Sequence, residues 1–292
     1  DADGQAVRIR MEHERGGHSP VSRTIITEEH IAPVLHQLEG LLPDTEHKRK
    51  WMDELERCMR QSDNLSSAFA RQLGLLFGRF GLVLLDSDAP ELRALEKPVF
   101  RTIIEQNDRL TEAYMAASHE VREAGYDEQA TVAEDGANLF YIHTDEVYTA
   151  ERLLLFKRDG HFTDRKGLVT FTKEELLELV EQHPERFSNN VLTRPLMQES
   201  LFPVLGTILG TGEIAYWALT RQAFQTLGMQ MPPIVPRMSF TVIEDKIQQL
   251  MNRFELSFDD VRVRFTDIRR EWLAAQEDYN LDQRFDELKR QF

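Results

Sequence analysis

The chain has 292 residues, 41% of them hydrophobic and 29% charged, which is the composition of a globular protein with a sizeable core rather than a disordered or fibrous chain. Fifty acidic against 35 basic side chains give a formal net charge of -15, and this excludes the broad basic footprint of a general nucleic-acid binder. One cysteine, Cys58, excludes an internal disulfide and suits a reducing compartment, so the chain reads as cytoplasmic, with no apolar run of membrane-spanning length.

Residues 1–80 read as a mostly helical connecting region. Thr27 is placed to cap a helix whose first turn carries Glu28 and Glu29, and Leu65, Phe69, Leu73, Leu76 and Phe80 recur at helical spacing. Cys58 falls inside a helical pattern and reads as an inert thiol. Residues 81–124 begin with four apolar residues, Leu82 to Leu85, between Gly81 and Asp86, which predicts a strand of a parallel sheet covered on both faces. Asp88 is a candidate cap and Pro90 suits the first turn of a long helix running to Val121.

Residues 125–188 read as a small α+β insertion. Asp159-Gly160 predicts a two-residue hairpin, and Thr172 is placed to cap the helix that follows it. Residues 189–243 return to strand, helix, strand. Residues 244–292 form a helical tail with two apolar stripes, Ile268, Trp272, Ala275 and Tyr279, then Leu281, Phe285, Leu288 and Phe292, the pattern of a coiled-coil or helix-pair contact. A helical pattern still running at the last residue, and a first residue other than Met, suggest an excerpt of a longer protein.

Three places are candidates for chemistry. Gly210-x-Gly212 opens a helix, which suits an anion or a dinucleotide phosphate, but equally a tight corner. The region some 20 residues on has no acid to hold a ribose, which counts against a nicotinamide oxidoreductase. Asp86, Ser87 and Asp88 stand at a predicted strand end, where ligands of α/β sheets gather, and their other reading is a turn and a cap. Arg194 with Gln198 offers either a carboxylate fork or a surface ion pair, and Arg237 with Ser239 offers a donor pair in a proline-stiffened loop. The nine histidines are scattered without metal-ligand spacing, so no metal is expected.

The segments "FGLVLLDSDAPELR", "NVLTRPLMQESLFPVLGTILGTGEIAYWALTRQAF" and "MPPIVPRMSFTVIE" resemble the bacillithiol synthase family across nearly the whole chain. Leu209 and Thr211 stand where the family's turn has Gly and Pro, while Gly210, Gly212, Glu213, Tyr216 and Trp217 match. The resemblance implies an α/β, Rossmann-like parallel core with connecting insertions and a C-terminal coiled coil that pairs two subunits. It implies a ligase that joins cysteine to glucosaminyl malate, with ATP or ADP as candidate nucleotides. Under it, Glu213 or Asp86 takes the proton of the attacking amine, and Ser87, Asp88, Arg194, Gln198, Gly210, Gly212, Tyr216, Arg237 and Ser239 line the substrate site. The rival reading is a non-catalytic helical scaffold or dimerisation module.

Overall fold

A computed structural model describes residues 7–12, 19–144, 150–276 and 289–290. It divides into two compact units, residues 1–237 and 238–292. The first unit opens with three helices, α1 (Glu28–Leu41), α2 (Lys48–Arg60) and α3 (Leu65–Phe77), whose Ile31, Leu35, Met59 and Ala68 meet in a minor core. Thr27 precedes α1 as expected, with its backbone N–H donating to His30 Nδ1 at 3.0 Å. Cys58 is buried in α2.

The expected strand at residues 82–85 is not formed. The segment takes no regular secondary structure, and Val83 is 88% exposed. A parallel strand is held by ladders to its neighbours. Among the described residues nothing pairs with this one. The long helix after it is two helices, α4 (Pro90–Glu105) and α5 (Asn107–Glu123), because Gln106 leaves the helical region at φ -104°, ψ 20°. Pro90 does occupy the first turn of α4. The cap position, however, is Ala89, and Asp88 is engaged elsewhere.

The main sheet is antiparallel, not the expected parallel core. Strands β1 (Gly136–Thr144), β2 (Ala150–Arg158), β3 (His161–Asp164) and β4 (Thr170–Phe171) form a meander, then come α6 (Lys173–Gln182) and β5 (Phe187–Asn189), in the order β4-β3-β2-β1-β5. The turn between β2 and β3 is the predicted Asp159-Gly160, both with positive φ (49° and 80°), as a hairpin twisted to match its strands requires. Thr172 and Glu175 cap α6 reciprocally, at 2.7 and 3.2 Å. The segment is also central to burial, since Leu139, Tyr141, Leu155, Phe162 and Phe187 join Phe100, Ile103, Leu110 and Tyr114 of α4 and α5 in the largest core. Phe187 packs edge-on against Tyr141, with ring centres 5.7 Å apart.

The chain then forms α7 (Arg194–Leu201), β6 (Thr207–Leu209), α8 (Thr211–Trp217), α9 (Arg221–Thr226) and β7 (Ile234–Pro236). β6 and β7 pair in parallel, Thr207 opposite Ile234 and Leu209 opposite Pro236, and this two-stranded sheet is the parallel pairing found among the described residues. In the second unit, α10 (Asp245–Arg253) precedes α11 (Phe265–Gln276), and Trp272 stands perpendicular to Phe254 at 5.8 Å. Tyr279, Leu281, Phe285, Leu288 and Phe292 of the predicted stripes lie outside the described residues. Among the described residues no helix is long and apolar enough to cross a membrane.

Candidate functional site

A short loop between β5 and α7 sets up one wall of a cavity. Asn190 Oδ1 accepts the backbone N–H groups of Leu192 and Thr193 at 3.0 and 2.9 Å, an Asx turn that aims the chain into α7. Thr193, fully buried, donates its hydroxyl to the Asn138 carbonyl at 2.8 Å and accepts from the Asn190 N–H at 3.2 Å. Arg194 is the next residue, so this buried tie to β1 decides where its guanidinium begins. Thr193→Val leaves two backbone groups without their partner, and a urea titration is expected to show a loss of about 1–3 kcal/mol.

The cavity encloses about 630 Å³, and Ser87, Arg194 and Gln198 all line it. Arg194 and Gln198 lie one helical turn apart on α7 and therefore share a face. Three further charged residues that the sequence reading missed line the same space: Arg93 and Glu96 of α4, and Arg152 of β2. Arg93 and Glu96 are buried and joined at 2.5 Å. Burial pushes the Glu96 carboxyl above its ordinary range, against the pull of Arg93. A signal for Glu96 did exist: it interrupts the helical stripe of Leu92, Phe100 and Ile103, where an acid needs a buried partner.

Arg152 is held from three sides. It stacks 3.7 Å above the Phe140 ring, donates through Nε to Ser188 Oγ at 2.8 Å and through Nη2 to the Asn189 carbonyl at 2.8 Å. Burial and the neighbouring Arg93 charge both press its proton affinity down from the ordinary arginine value, with Asp88 opposing them.

The predicted acids differ in their engagement. Asp88 receives Arg23 through two hydrogen bonds of 2.8 Å and Ser22 Oγ at 2.7 Å, and Arg93 lies 3.6 Å away. Burial favours its neutral form, but the bonds from Arg23 and Ser22 and the Arg23 and Arg93 charges outweigh this, so its pKa falls below the ordinary 3.8. Arg23 also donates to the Glu185 carbonyl at 2.6 Å, which ties the 3-10 turn Val21–Arg23 to the 3-10 turn Pro184–Arg186 just before β5. Asp86, exposed, accepts the Asp88 backbone N–H at 2.9 Å.

Gly210, Gly212, Glu213, Tyr216 and Arg237 are brought together at a second place, the corner between β6 and α8, and none of them lines the cavity. Glu213 Oε2 accepts the Gly210 N–H at 2.8 Å, and the Arg237 N–H reaches the Leu209 carbonyl at 2.7 Å across the parallel pair. A Cβ built on Gly210 would lie 2.7 Å from Arg237 Nη2 and 3.5 Å from Glu213 Oε2. The space that glycine leaves is therefore taken by a guanidinium beside a carboxylate, where a dinucleotide would need its phosphate. Gly212 has nothing within 4 Å of its missing Cβ, and Tyr216 is half-buried on α8. Ser239 belongs to the second unit and is exposed there.

Residues 1–238 match the family described as "Bacillithiol biosynthesis BshC, N-terminal Rossmann-like domain". Relatives named "Putative cysteine ligase BshC" include one from Bacillus cytotoxicus, 36% identical over 270 residues, 92% of this chain and 49% of that protein. Another, from Heliobacterium modesticaldum, is 36% identical over 266 residues, 90% of this chain and 48% of its own length. The chain spans about half the length of the curated relatives it matches.

Proposed function

We propose, since this chain belongs to the BshC family of bacillithiol biosynthesis, that the whole protein is a ligase joining the carboxyl group of cysteine to the amino group of glucosaminyl malate. The observation that carries this reading is the corner at Gly210, where Arg237 and Glu213 converge on a position without a side chain. Amide formation from a free carboxylate needs an activated acyl group, and ATP is the co-substrate that supplies the leaving group. The cysteine carboxylate oxygen takes the γ-phosphoryl group of ATP with release of ADP, or its adenylyl group with release of pyrophosphate. The amine nitrogen then attacks the acyl carbon, and that oxygen departs with the phosphate.

In this scheme Arg237 holds the charge of the leaving phosphate, which a planar guanidinium can grip with two donors. Glu213, fixed by the Gly210 N–H through one oxygen, accepts the amine proton with the other. Asp86 is the second candidate for that proton. The cytoplasm is the compartment that suits a lone reduced thiol such as Cys58. Pairing of two copies through the C-terminal helices belongs to the same reading, supported by the exposed Val263, Trp272 and Leu273 of the second unit.

The test is to incubate the whole protein with cysteine and glucosaminyl malate, with and without ATP, and to follow the joined thiol by mass spectrometry. Product that requires ATP is the expected result. Absence of product in both conditions, from protein shown to be folded, overturns the ligase reading.

A further inference from the structure

We propose that the cavity between α4, β5 and α7 is an oxyanion subsite, in which Arg152 and Arg194 grip a carboxylate or phosphate group of a small ligand. This deepens the ligase reading by assigning an anionic part of a substrate to a place separate from the Gly210 corner, and it rests on that reading only for the identity of the substrate.

Three guanidiniums, Arg93, Arg152 and Arg194, line one cavity with a single acid, Glu96, in a chain whose net charge is -15. Glu96 is already matched to Arg93 at 2.5 Å. Neither Arg152 nor Arg194 forms an ion pair with an acid among the described residues. Arg93 has Glu96 and Asp88 as counterions, whereas Arg152 and Arg194, both exposed, have none within ion-pair distance among the described residues, so their charges stand open to an incoming anion.

Position adds to charge. Arg152 is fastened by its ring stack and two donated hydrogen bonds, which leaves Nη1 as the unengaged end of its fork among the described residues. A guanidinium held in this way loses little freedom when an oxyanion arrives. Its holders, the Ser188 hydroxyl and the Asn189 carbonyl, come from β5, which also lines the cavity. Behind it, Arg93 is 5% exposed and its Nε has no hydrogen-bond partner among the described residues. A buried unsatisfied donor is costly in a folded chain and is kept where a ligand or a charge field uses it. Leu92, Met197, Leu201 and Phe202 supply an apolar part of the wall, and Ser87 and Gln198 add polar groups that can orient a bound anion. The volume of about 630 Å³ is that of a site for a small metabolite.

The experiment is a calorimetric titration of the whole protein with succinate and, separately, with inorganic phosphate, at low and moderate salt. Either anion should bind with an affinity that falls as salt rises, and the tighter of the two tells whether the seat is built for carboxylate or phosphate. Arg152→Gln and Arg194→Gln should each weaken that binding at least tenfold, while Arg262→Gln, an exposed arginine of the second unit, leaves it unchanged. A second variant, Phe140→Leu, removes the stack but keeps the charge and should weaken binding less than Arg152→Gln. Thermal unfolding of each variant identifies any that fails to fold.

Unchanged affinity in folded Arg152→Gln and Arg194→Gln, or an equal loss of binding in Arg262→Gln, overturns the proposal. Anion binding with no thiol formed would sink the ligase reading and leave the subsite standing. Thiol formed with an unchanged KM in Arg152→Gln and Arg194→Gln would do the reverse.

Discussion

Gly210→Ala is expected to lower kcat/KM for thiol formation on the order of 10²-fold while changing the stability of the fold by less than about 1 kcal/mol. The backbone at Gly210 has φ -73° and ψ 167°, a conformation open to any residue. Alanine is a poorer helix cap than glycine, but it restricts the unfolded chain, which offsets part of that loss. What alanine cannot share is the space, because its Cβ would sit 2.7 Å from Arg237 Nη2 and 3.2 Å from Cζ. The end of an arginine side chain is flexible and moves aside cheaply. Moving aside, however, takes the guanidinium away from the Gly210 corner where the proposed mechanism needs it, and displacement of about 1 Å in a positioning group costs on the order of a hundredfold in rate. Gly212→Ala is the control, since its Cβ meets nothing within 4 Å. Equal activity in the two variants would remove the Arg237 contact from the mechanism.

Asp88→Ala is expected to cost roughly 2–3 kcal/mol of stability, measured by denaturant unfolding near neutral pH. It removes the carboxylate partner of Arg23, whose side chain is 26% exposed, and the more distant of the two acids beside Arg93, whose side chain is 6% exposed and keeps Glu96. The partial exposure of Arg23 lets water recover part of the loss, which places the expected value below the full range for a buried pair. The pH dependence has a definite sign. The folded-state pKa of Asp88 lies below 3.8, so the unfolded chain takes up the proton first as acid is added. The stabilisation is complete above the unfolded value and is lost as pH falls through the lower, folded one. The difference between the parent protein and Asp88→Asn should therefore shrink in acid below pH 3.8. A difference that grew there would contradict the assignment of Asp88 to this ion pair.

These two sites show how differently the residues were legible. Gly210, Glu213 and Arg237 were candidates from their residue types alone, but that Arg237 occupies the glycine's vacant side follows from the parallel pairing of β6 with β7. Asp88 was read as a cap or a ligand, and its carboxylate instead meets Arg23, 65 positions earlier in the chain. Arg152 carried no signal in a strand of alternating burial, since an arginine on such a strand is ordinarily a solvated one. Its Ser188 partner is 36 positions away.

What the sequence by itself determined is what neighbours within a turn or a hairpin decide. The Thr172 and Glu175 cap, Pro90 at the start of α4, and the Asp159-Gly160 turn all follow from φ/ψ preference and from donors three or four residues apart. Those energies exist before the chain is folded. Only the tertiary structure decided that Leu82 to Leu85 would stay unpaired, that the major sheet would be antiparallel, and that Arg93, Arg152 and Arg194 would face one cavity. An apolar run records a tendency to be buried but not which ladder will accept it, and a charge records no address for its counterion. Strand pairing and ion pairing over such separations depend on which segments close on which, and that choice is made by the packing of the whole core.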